Sequence, residues 1–270
     1  MTSEGRPAPG VSRQGNPETC AGPETATETH RDRDAIAIDG AYQHRALVAG
    51  PSIQRYWHQA KLELLDWLFD VETGDRVLDI GCGSGVFANH LASYGARVTA
   101  IDGNPEAIAY ATATFASDAV DFQLGQMDAV DLEPGSFDRA TCLEVIEHVY
   151  PAQVTALLAS LRRLLRPGGT LLLTTPNYRG LWPLVEWAAD RFAPTAQMDR
   201  SQHINRYSRA RLCQTLRDAG FEIKALRTYS TIAPFASVLS WPLAQRIDRL
   251  ERRIDLPFGN LLALVARNPA

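Results

Sequence analysis

The sequence is poor in basic residues relative to acidic ones. It has 27 lysines and arginines against 31 aspartates and glutamates, which gives a formal net charge of −4 over 270 residues. A general nucleic-acid-binding protein usually carries a clustered excess of basic side chains, because these contact the phosphates. The composition therefore argues against a nucleic-acid partner, and we expect a small-molecule substrate instead.

Cysteine is scarce, and the four cysteines are too scattered to form a C-x-x-C pair: Cys20, Cys82, Cys142 and Cys213. This spacing argues against a disulfide framework and a cysteine zinc site, and it favours a reducing compartment. The N-terminus has no basic segment followed by an apolar one, as a secretory signal would. No apolar run reaches the ~18 residues of a membrane-spanning helix. The sequence thus predicts a cytoplasmic protein without a transmembrane segment.

The first 33 residues are rich in Gly, Pro, Thr, Glu and Arg and show no apolar periodicity. A segment of this composition cannot bury enough apolar surface to offset the entropy lost on ordering. We therefore predict a disordered arm over residues 1–33 and one folded domain over residues 34–270.

Between residues 52 and 177, short apolar runs alternate with segments of helical periodicity. An amphipathic helix is predicted first, and the apolar runs that follow are interpreted as strands: "RVLDI", "RVTAI", "VDFQLG", "FDRATCL" and "TLLLTTPN". Asn104 before Pro105 is typical of a helix start, and the turn "RPGG" is predicted to end a later helix. Strands that alternate with helices of this length predict a mainly parallel, doubly wound α/β sheet.

After Asn177 the alternation stops. Two segments, about 178–207 and 230–255, are predicted to be insertions, with a helix capped by Ser208 and a strand between them. The apolar stretch "IAPFASVLSWPL" in the second insertion is interpreted as a cap over the sheet, with contact to a membrane or a lipid-like substrate as the alternative. The last apolar run, "NLLALVARN", is predicted to be the final strand.

A glycine-rich loop follows the first predicted strand directly. In "VLDIGCGSG", Gly81, Gly83 and Gly85 precede a helix whose N-terminus offers free amides. The spacing is G-x-G-x-G, which differs from the dinucleotide fingerprint. Asp102 ends the second strand and could accept hydrogen bonds from two ribose hydroxyls, while Asp128 follows the third strand and suits an adenine amino group. The alternative is a Rossmann-like domain that binds another nucleotide or none.

Together these motifs resemble the class I S-adenosylmethionine-dependent methyltransferases, from about Val77 to Asn177, and the ubiquinone-biosynthesis O-methyltransferases within that class. The resemblance implies a Rossmann-like, doubly wound sheet of seven strands whose last strand is antiparallel, with helical insertions over the active site. It also implies S-adenosylmethionine as the cofactor.

The resemblance further assigns parts of the cofactor to named residues. The methionine part would be held by Asp79 and the loop of Gly81, Cys82, Gly83 and Gly85, in which Cys82 is a small packed residue and not a nucleophile. Asp102 would hold the ribose, and Met127 with Asp128 the adenine. Three further residues are expected to border the cofactor: Gly103, Asn104 and Leu143.

The stretch "CLEVIEHV" places three polar side chains in an apolar run. If Glu144, Glu147 and His148 form a helical turn, they share one face at the carboxyl end of the fourth strand. With His203 from "SQHINRYS" they could hold a divalent metal such as Mg²⁺, Mn²⁺ or Zn²⁺. The pattern resembles two metal-using branches of the family, the ubiquinone-biosynthesis O-methyltransferases and the small-RNA 2′-O-methyltransferases.

Two other interpretations of this stretch stay open. Many methyltransferases of this group carry a similar motif without a metal, and there the first acid borders the cofactor while the histidine orders the loop or acts as a general base. In the other interpretation, these three side chains only contribute to packing. The candidate catalytic residues are therefore His148, Glu144 and His203.

The expected reaction is transfer of a methyl group from S-adenosylmethionine to a hydroxyl oxygen of a phenolic, quinol or sugar-like metabolite. The alternatives are an N- or C-methyltransferase of the same fold and a non-catalytic cofactor-binding scaffold that regulates a partner. The protein is expected to be a monomer or a homodimer.

Deletion of residues 1–33 should leave the melting temperature and the cofactor affinity nearly unchanged, because this arm lacks the apolar area needed to dock. Thermal unfolding and calorimetric titration of the shortened and full chains measure both quantities. A large loss of either would show that the arm packs on the domain or completes its site.

Overall fold

The computed structural model describes residues 39–126, 131–192 and 203–269, and all of them belong to one unit that spans Ile36–Ala270. The predicted arm over residues 1–33 lies outside the described residues. Met127 and Asp128 also lie outside them, so the expected adenine contact stays a prediction.

The centre of the fold is a seven-stranded sheet with the order β3-β2-β1-β4-β5-β7-β6. Its strands are β1 Arg76–Ile80, β2 Arg97–Asp102, β3 Val120–Leu124, β4 Phe137–Leu143, β5 Leu165–Pro176, β6 Glu222–Tyr229 and β7 Leu261–Arg267. The first five strands pair in parallel, and β7 runs antiparallel to both β5 and β6. The predicted sheet with an antiparallel last strand is confirmed.

The helices of the described residues are α1 Tyr42–Ala49, α2 Ser52–Leu68, α3 Val86–Ser93, α4 Pro105–Phe115, α5 Pro151–Leu164, α6 Trp182–Phe192, α7 Arg209–Asp218, α8 Ala233–Ala236 and α9 Trp241–Ile254. In the described part of the chain, no helix is both long and apolar enough to cross a membrane.

Two buried clusters pack against the sheet. One contains Leu158 and Leu161 of α5 with Leu212 and Leu216 of α7, and the other contains Leu65, Phe87 and Leu91 from α2 and α3. Parallel strands need helices on both sides, and this explains why β1 and the second half of β5 are buried at almost every position.

Local capping follows the sequence at two helices. The Asn104 side chain accepts hydrogen bonds from the amides of Glu106 and Ala107 at the start of α4, and Ser208 accepts one from Arg211 at the start of α7. Each side chain satisfies amides that have no partner inside the first helical turn.

The segment "RPGG" is not the simple turn that the sequence predicts. It lies within β5, where the pairing with β4 shifts between Phe137 and Arg139. The Asn268 side chain, just after β7, donates hydrogen bonds to the carbonyls of residues 162, 165 and 166. These long-range bonds satisfy carbonyls at the end of α5, so the chain enters β5 directly through a bulge.

Candidate active site

The glycine loop lies at the carboxyl end of β1 and turns toward β2. The amides of Gly81 and Cys82 donate to the Ile101 carbonyl at 2.8 and 3.2 Å. Gly85 precedes α3 with a φ of 82°, and a Cβ there would lie 2.8 Å from Ala111 Cβ. Only glycine combines this backbone angle with this space.

Asp102 is fixed at the end of β2 by backbone amides. Its Oδ2 accepts from Gly83 and its Oδ1 accepts from Asn104, both at 2.8 Å. Burial raises the pKa of Asp102, and the amide hydrogen bonds oppose that rise. Each carboxylate oxygen has a second lone-pair site, so the carboxylate can also accept bonds from a ligand.

Asp79 is a buried carboxylate with one oxygen that has no partner. Its Oδ1 accepts from Thr141 Oγ1 at 2.7 Å, whereas Oδ2 is buried without a hydrogen bond. Burial raises the pKa of Asp79 to about 7. An unpaired buried oxygen is costly unless a ligand supplies a donor. The amino group of S-adenosylmethionine is a donor of the required kind, so the residues present fit this cofactor.

The other expected cofactor residues differ in what they do. Cys82 is buried and its thiol pKa is raised by burial, as suits a packed residue. The Asn104 side chain caps α4, and Leu143 packs with Cys82 in the same buried cluster. Gly103 has open space beside it, since no neighbouring atom lies within 4 Å of a built Cβ.

Sequence reasoning missed Gln43 in α1. Its Oε1 accepts from the Ser84 amide at 3.2 Å and from Ser84 Oγ at 3.4 Å, and the His44 amide donates to Ser84 Oγ at 3.1 Å. The start of α1 therefore lies directly on the glycine loop. The sequence gives no signal for this contact, because α1 is short and carries no motif that would predict it.

Sequence reasoning also missed Lys61 in α2. The Lys61 ammonium lies 2.6 Å from Glu144 Oε2, and the residue is only 5% exposed. A signal existed, because Lys61 lies one turn from Trp57 and from Leu64 on the apolar stripe of α2. A lysine on a buried stripe needs an acidic partner. Its presence there is conspicuous because the chain has only one other lysine.

The stretch from Glu144 to His148 is a turn and not the helical turn that the sequence suggests. Glu144 adopts a left-handed φ of 57° directly after β4. This backbone angle accompanies the pairing of its carboxylate with Lys61. The expected four-residue metal set therefore needs a correction, because Glu144 is not among the residues that converge.

Three of the four expected ligands do converge. Glu147, His148 and His203 each offer one ligand atom, and these atoms lie within 4.8 Å of one another. Glu147 is buried and accepts from Thr175 Oγ1 at 2.9 Å, and its pKa is raised to about 8 mainly by burial. The rings of His148 and His203 lie 4.8 Å apart between centroids.

Partly buried polar contacts hold His203 in place. Its Nδ1 lies 3.0 Å from Glu186 Oε1 and 2.7 Å from the Tyr178 hydroxyl. The Asn205 amide donates to the Glu147 carbonyl at 2.9 Å, and its side chain donates to the Val149 carbonyl at 2.6 Å. The segment that carries His203 is thus tied to the turn that carries Glu147 and His148.

Aromatic side chains stand beside this cluster. The Trp182 ring lies 5.9 Å from His203 and 5.3 Å from Trp57, and the Tyr178 ring lies 6.1 Å from His203. Trp182 and Tyr178 come from the first predicted insertion and Trp57 from α2. The insertion therefore places aromatic rings next to His203, with Trp182 itself buried in a cluster that includes Leu64 and Tyr229.

The sequence is similar to curated proteins in its central part. It is 35% identical over 155 residues to a ubiquinone biosynthesis O-methyltransferase of Xanthomonas euvesicatoria, which covers 56% of this chain and 64% of that protein. It is 43% identical over 107 residues to the protein of that name from Xanthomonas campestris, covering 38% of this chain and 44% of the relative. The chain thus spans less than two thirds of either relative.

Solved structures share the fold. A SAM dependent methyltransferase from Archaeoglobus fulgidus has a TM-score of 0.60 at 17% identity, over 84% of this chain and 98% of that one. The [4+2]-cyclase SpnF has a TM-score of 0.57 at 22% identity, over 79% of this chain and 83% of that one. At these identities the likeness concerns the fold alone.

A family model described as a methyltransferase domain matches residues 49–226. The match covers the sheet from β1 to β5 together with the glycine loop, Asp102 and the histidine cluster. The chain belongs to this methyltransferase family, and it has the class I fold. S-adenosylmethionine is the cofactor that membership of the family implies.

Replacement of Asp102 by alanine should weaken the binding of S-adenosylmethionine at least tenfold. Hydrogen bonds to a charged acceptor are worth about 1.5–3 kcal/mol, and the variant loses them. Calorimetric titration measures the affinity. Asp121→Ala is the matched control, since Asp121 is an exposed aspartate on β3. Unchanged affinity of the Asp102→Ala variant would contradict the ribose assignment.

Cofactor affinity should also fall as the pH drops below about 7, because Asp79 then takes up a proton and no longer pairs with an ammonium group. The loss should approach tenfold per pH unit, which is the limit for one proton. Titrations with S-adenosylhomocysteine from about pH 5 to about pH 7 test this, and Asp79→Asn should flatten the profile. A steep profile that survives in Asp79→Asn would assign the proton to another group.

Proposed function

We propose that the protein transfers a methyl group from S-adenosylmethionine to a hydroxyl oxygen of a small phenolic or quinol metabolite, with the help of a divalent metal ion. The observation that carries the proposal is the convergence of Glu147, His148 and His203 within 4.8 Å beside the cofactor loop. In a doubly wound sheet this carboxyl edge of the strands is where ligands bind.

On the cofactor side, Asp79 would accept from the amino group and Asp102 from the ribose hydroxyls. The partnerless Oδ2 of Asp79 supports the first role. The position of Asp102 at the end of β2, beside the Gly83 amide, supports the second. When bound, S-adenosylmethionine supplies an electrophilic methyl group on its sulfonium sulfur. Lys61 and Glu144 would separate this side from the acceptor side.

On the acceptor side, one carboxylate and two imidazoles form a set that suits Mg²⁺, Mn²⁺ or Zn²⁺. A bound cation would lower the pKa of an acceptor hydroxyl and orient it. Contact of Glu186 with His203 Nδ1 supports this role, because metal-binding histidines usually have a carboxylate at the other ring nitrogen. That contact leaves Nε2 of His203 as the ligand atom.

The chemistry of the walls favours a flat acceptor. Trp182 and Tyr178 place aromatic rings next to His203, Trp57 packs on Trp182, and aromatic rings pair favourably with one another. The name of the Xanthomonas relatives supports oxygen as the acceptor atom. These two observations together favour a phenol or quinol over a sugar-like metabolite and over nitrogen or carbon acceptors.

A metal-free reaction is the second candidate for the same site. His148 lies in the same turn as Glu147, and as a general base it would take the hydroxyl proton. Its ring neighbour His203 would then only help to order the turn. The two candidates differ in their response to chelation and in the role of His203.

A non-catalytic scaffold is the rival from another class. The cyclase among the structural neighbours indicates that this fold supports other activities. Formation of S-adenosylhomocysteine with any acceptor separates an enzyme from a scaffold. The proposed compartment is the cytoplasm, and monomer and homodimer both stay open.

Chelation should abolish methyl transfer to a catechol or quinol, and added Mg²⁺, Mn²⁺ or Zn²⁺ should restore it. Glu147→Ala and His203→Ala should each lower the rate at least a hundredfold, because loss of a ligand removes the cation. Both variants should bind S-adenosylmethionine normally, since their side chains lie on the acceptor side. Turnover is measured as S-adenosylhomocysteine release and binding by calorimetry.

His90→Ala and Glu222→Ala are the matched controls, because these residues lie outside the cluster and should leave the rate unchanged. A rate that is unchanged by chelation and rises with pH through ~6.5, the pKa of free imidazole, would favour His148 as a metal-free base. His203→Ala would then have a small effect. No turnover with intact cofactor binding would favour the scaffold.

A further inference from the structure

The segment from Ile232 to Phe258 exposes apolar side chains that the methyltransferase site does not use. Leu239 is 83% exposed and Val238 is 61% exposed, in the connection between α8 and α9. The other exposed apolar residues of this segment are Ile232, Phe235, Leu243, Leu250, Ile254 and Phe258. Exposed apolar side chains that occur together are more informative than scattered ones.

Helix α9 arranges its exposed residues in two adjacent stripes. Leu243, Leu250 and Ile254 are seven and four positions apart, so they share one side of the helix. Arg246, Arg249 and Arg253 are also exposed and occupy the neighbouring side. An apolar stripe next to a basic stripe is the pattern of helices that lie in a membrane interface.

The acidic residues of this segment are buried or paired. Asp248 is buried and lies 2.5 Å from Arg252, and Glu251 accepts from the amides of Thr231 and Ile232 at 3.0 and 2.7 Å. Asp255 pairs with Arg209. The outer face from residue 232 to residue 258 therefore carries positive charge and no exposed acid, in a chain with a net charge of −4.

We infer that this outer face, formed by α8, α9 and the residues that flank them, docks the protein on an anionic lipid bilayer. The apolar side chains would enter the interface, and Arg246, Arg249 and Arg253 would meet the anionic headgroups. The inference does not depend on which acceptor the enzyme methylates.

Charge argues against two other occupants. A second copy of the chain across a two-fold axis would face the same arginine stripe, and like charges would then oppose each other. A nucleic acid would match the arginines but would leave the apolar stripe without a partner. A bilayer with anionic headgroups matches both stripes at once.

The face is continuous with the wall of the active site. The Leu181 amide donates to the Phe258 carbonyl at 3.1 Å, and both residues are exposed. Leu181 immediately precedes Trp182, which contacts His203 and Trp57. Docking through this face would therefore bring the acceptor side of the site close to the bilayer surface.

Flotation of the full chain with vesicles tests the inference. The protein should float with vesicles of phosphatidylglycerol and phosphatidylcholine, but not with vesicles of phosphatidylcholine alone. An R246Q/R249Q/R253Q variant should bind the anionic vesicles on the order of a hundredfold more weakly, since each arginine near the surface is worth about fivefold. Leu239→Ser with Leu243→Ser should also reduce binding, and high salt should weaken the binding of the native chain.

Two variants away from the face serve as controls, R97Q/R163Q/R217Q for charge and Val48→Ser for an exposed apolar residue. Both should float like the native chain. Circular dichroism and the melting temperature check that every variant is folded. Absence of flotation with anionic vesicles, or equal losses in the control and test variants, would overturn the inference. A dimer in light scattering that the Leu239→Ser/Leu243→Ser change dissociates, without vesicle binding, would assign the face to a second copy.

Discussion

Three carboxylates at the carboxyl edge of the sheet, two of them buried and Asp102 partly buried, are the constraint on which the site depends. Asp79, Asp102 and Glu147 all lose water on folding, and burial raises the pKa of each. Neutral hydrogen-bond donors offset part of the free-energy cost of this burial. One threonine hydroxyl donates to Asp79, another donates to Glu147, and backbone amides donate to Asp102. Neutral donors cannot balance a charge in a low dielectric. Positively charged ligands can, so the cost of burial becomes affinity for an ammonium group and, in our proposal, for a cation.

Glu144 shows how the same edge treats a carboxylate differently. It has a full countercharge, because Lys61 reaches it from α2, 83 positions earlier in the chain. A carboxylate that is already neutralised has less to gain from a metal ion. The ion pair with Lys61 is consistent with our proposal, in which Glu147 of the "EVIEH" motif is a metal ligand and Glu144 is not.

The parts of the structure that follow from local patterns could be predicted from the sequence. Short apolar runs and period-3.6 apolar patterns predict the strands and helices, and side-chain caps such as Asn104 and Ser208 depend on neighbours within three residues. The contacts that could not be predicted join distant segments. Lys61 with Glu144, Gln43 with Ser84 and Asn268 with the end of α5 each depend on the tertiary fold. The left-handed backbone of Glu144 belongs with them, since it accompanies the contact with Lys61.

The two segments that interrupt the βα alternation account for what is particular to this chain. The family match covers the sheet and the cofactor loop, which many methyltransferases share. The first segment brings His203, Glu186 and Trp182 to the side that we propose binds the acceptor, and Asn205 fixes it to the motif turn. The second packs α8 and α9 on α2, through Tyr56, Ala233 and Ala244, and so supports the helix that carries Lys61 and Trp57. The first segment carries His203, and the second packs on α2. A change in either segment would therefore affect the proposed acceptor side directly and the cofactor side only indirectly. In our two proposals, acceptor choice and membrane docking therefore depend on these segments, while cofactor binding depends on the cofactor loop.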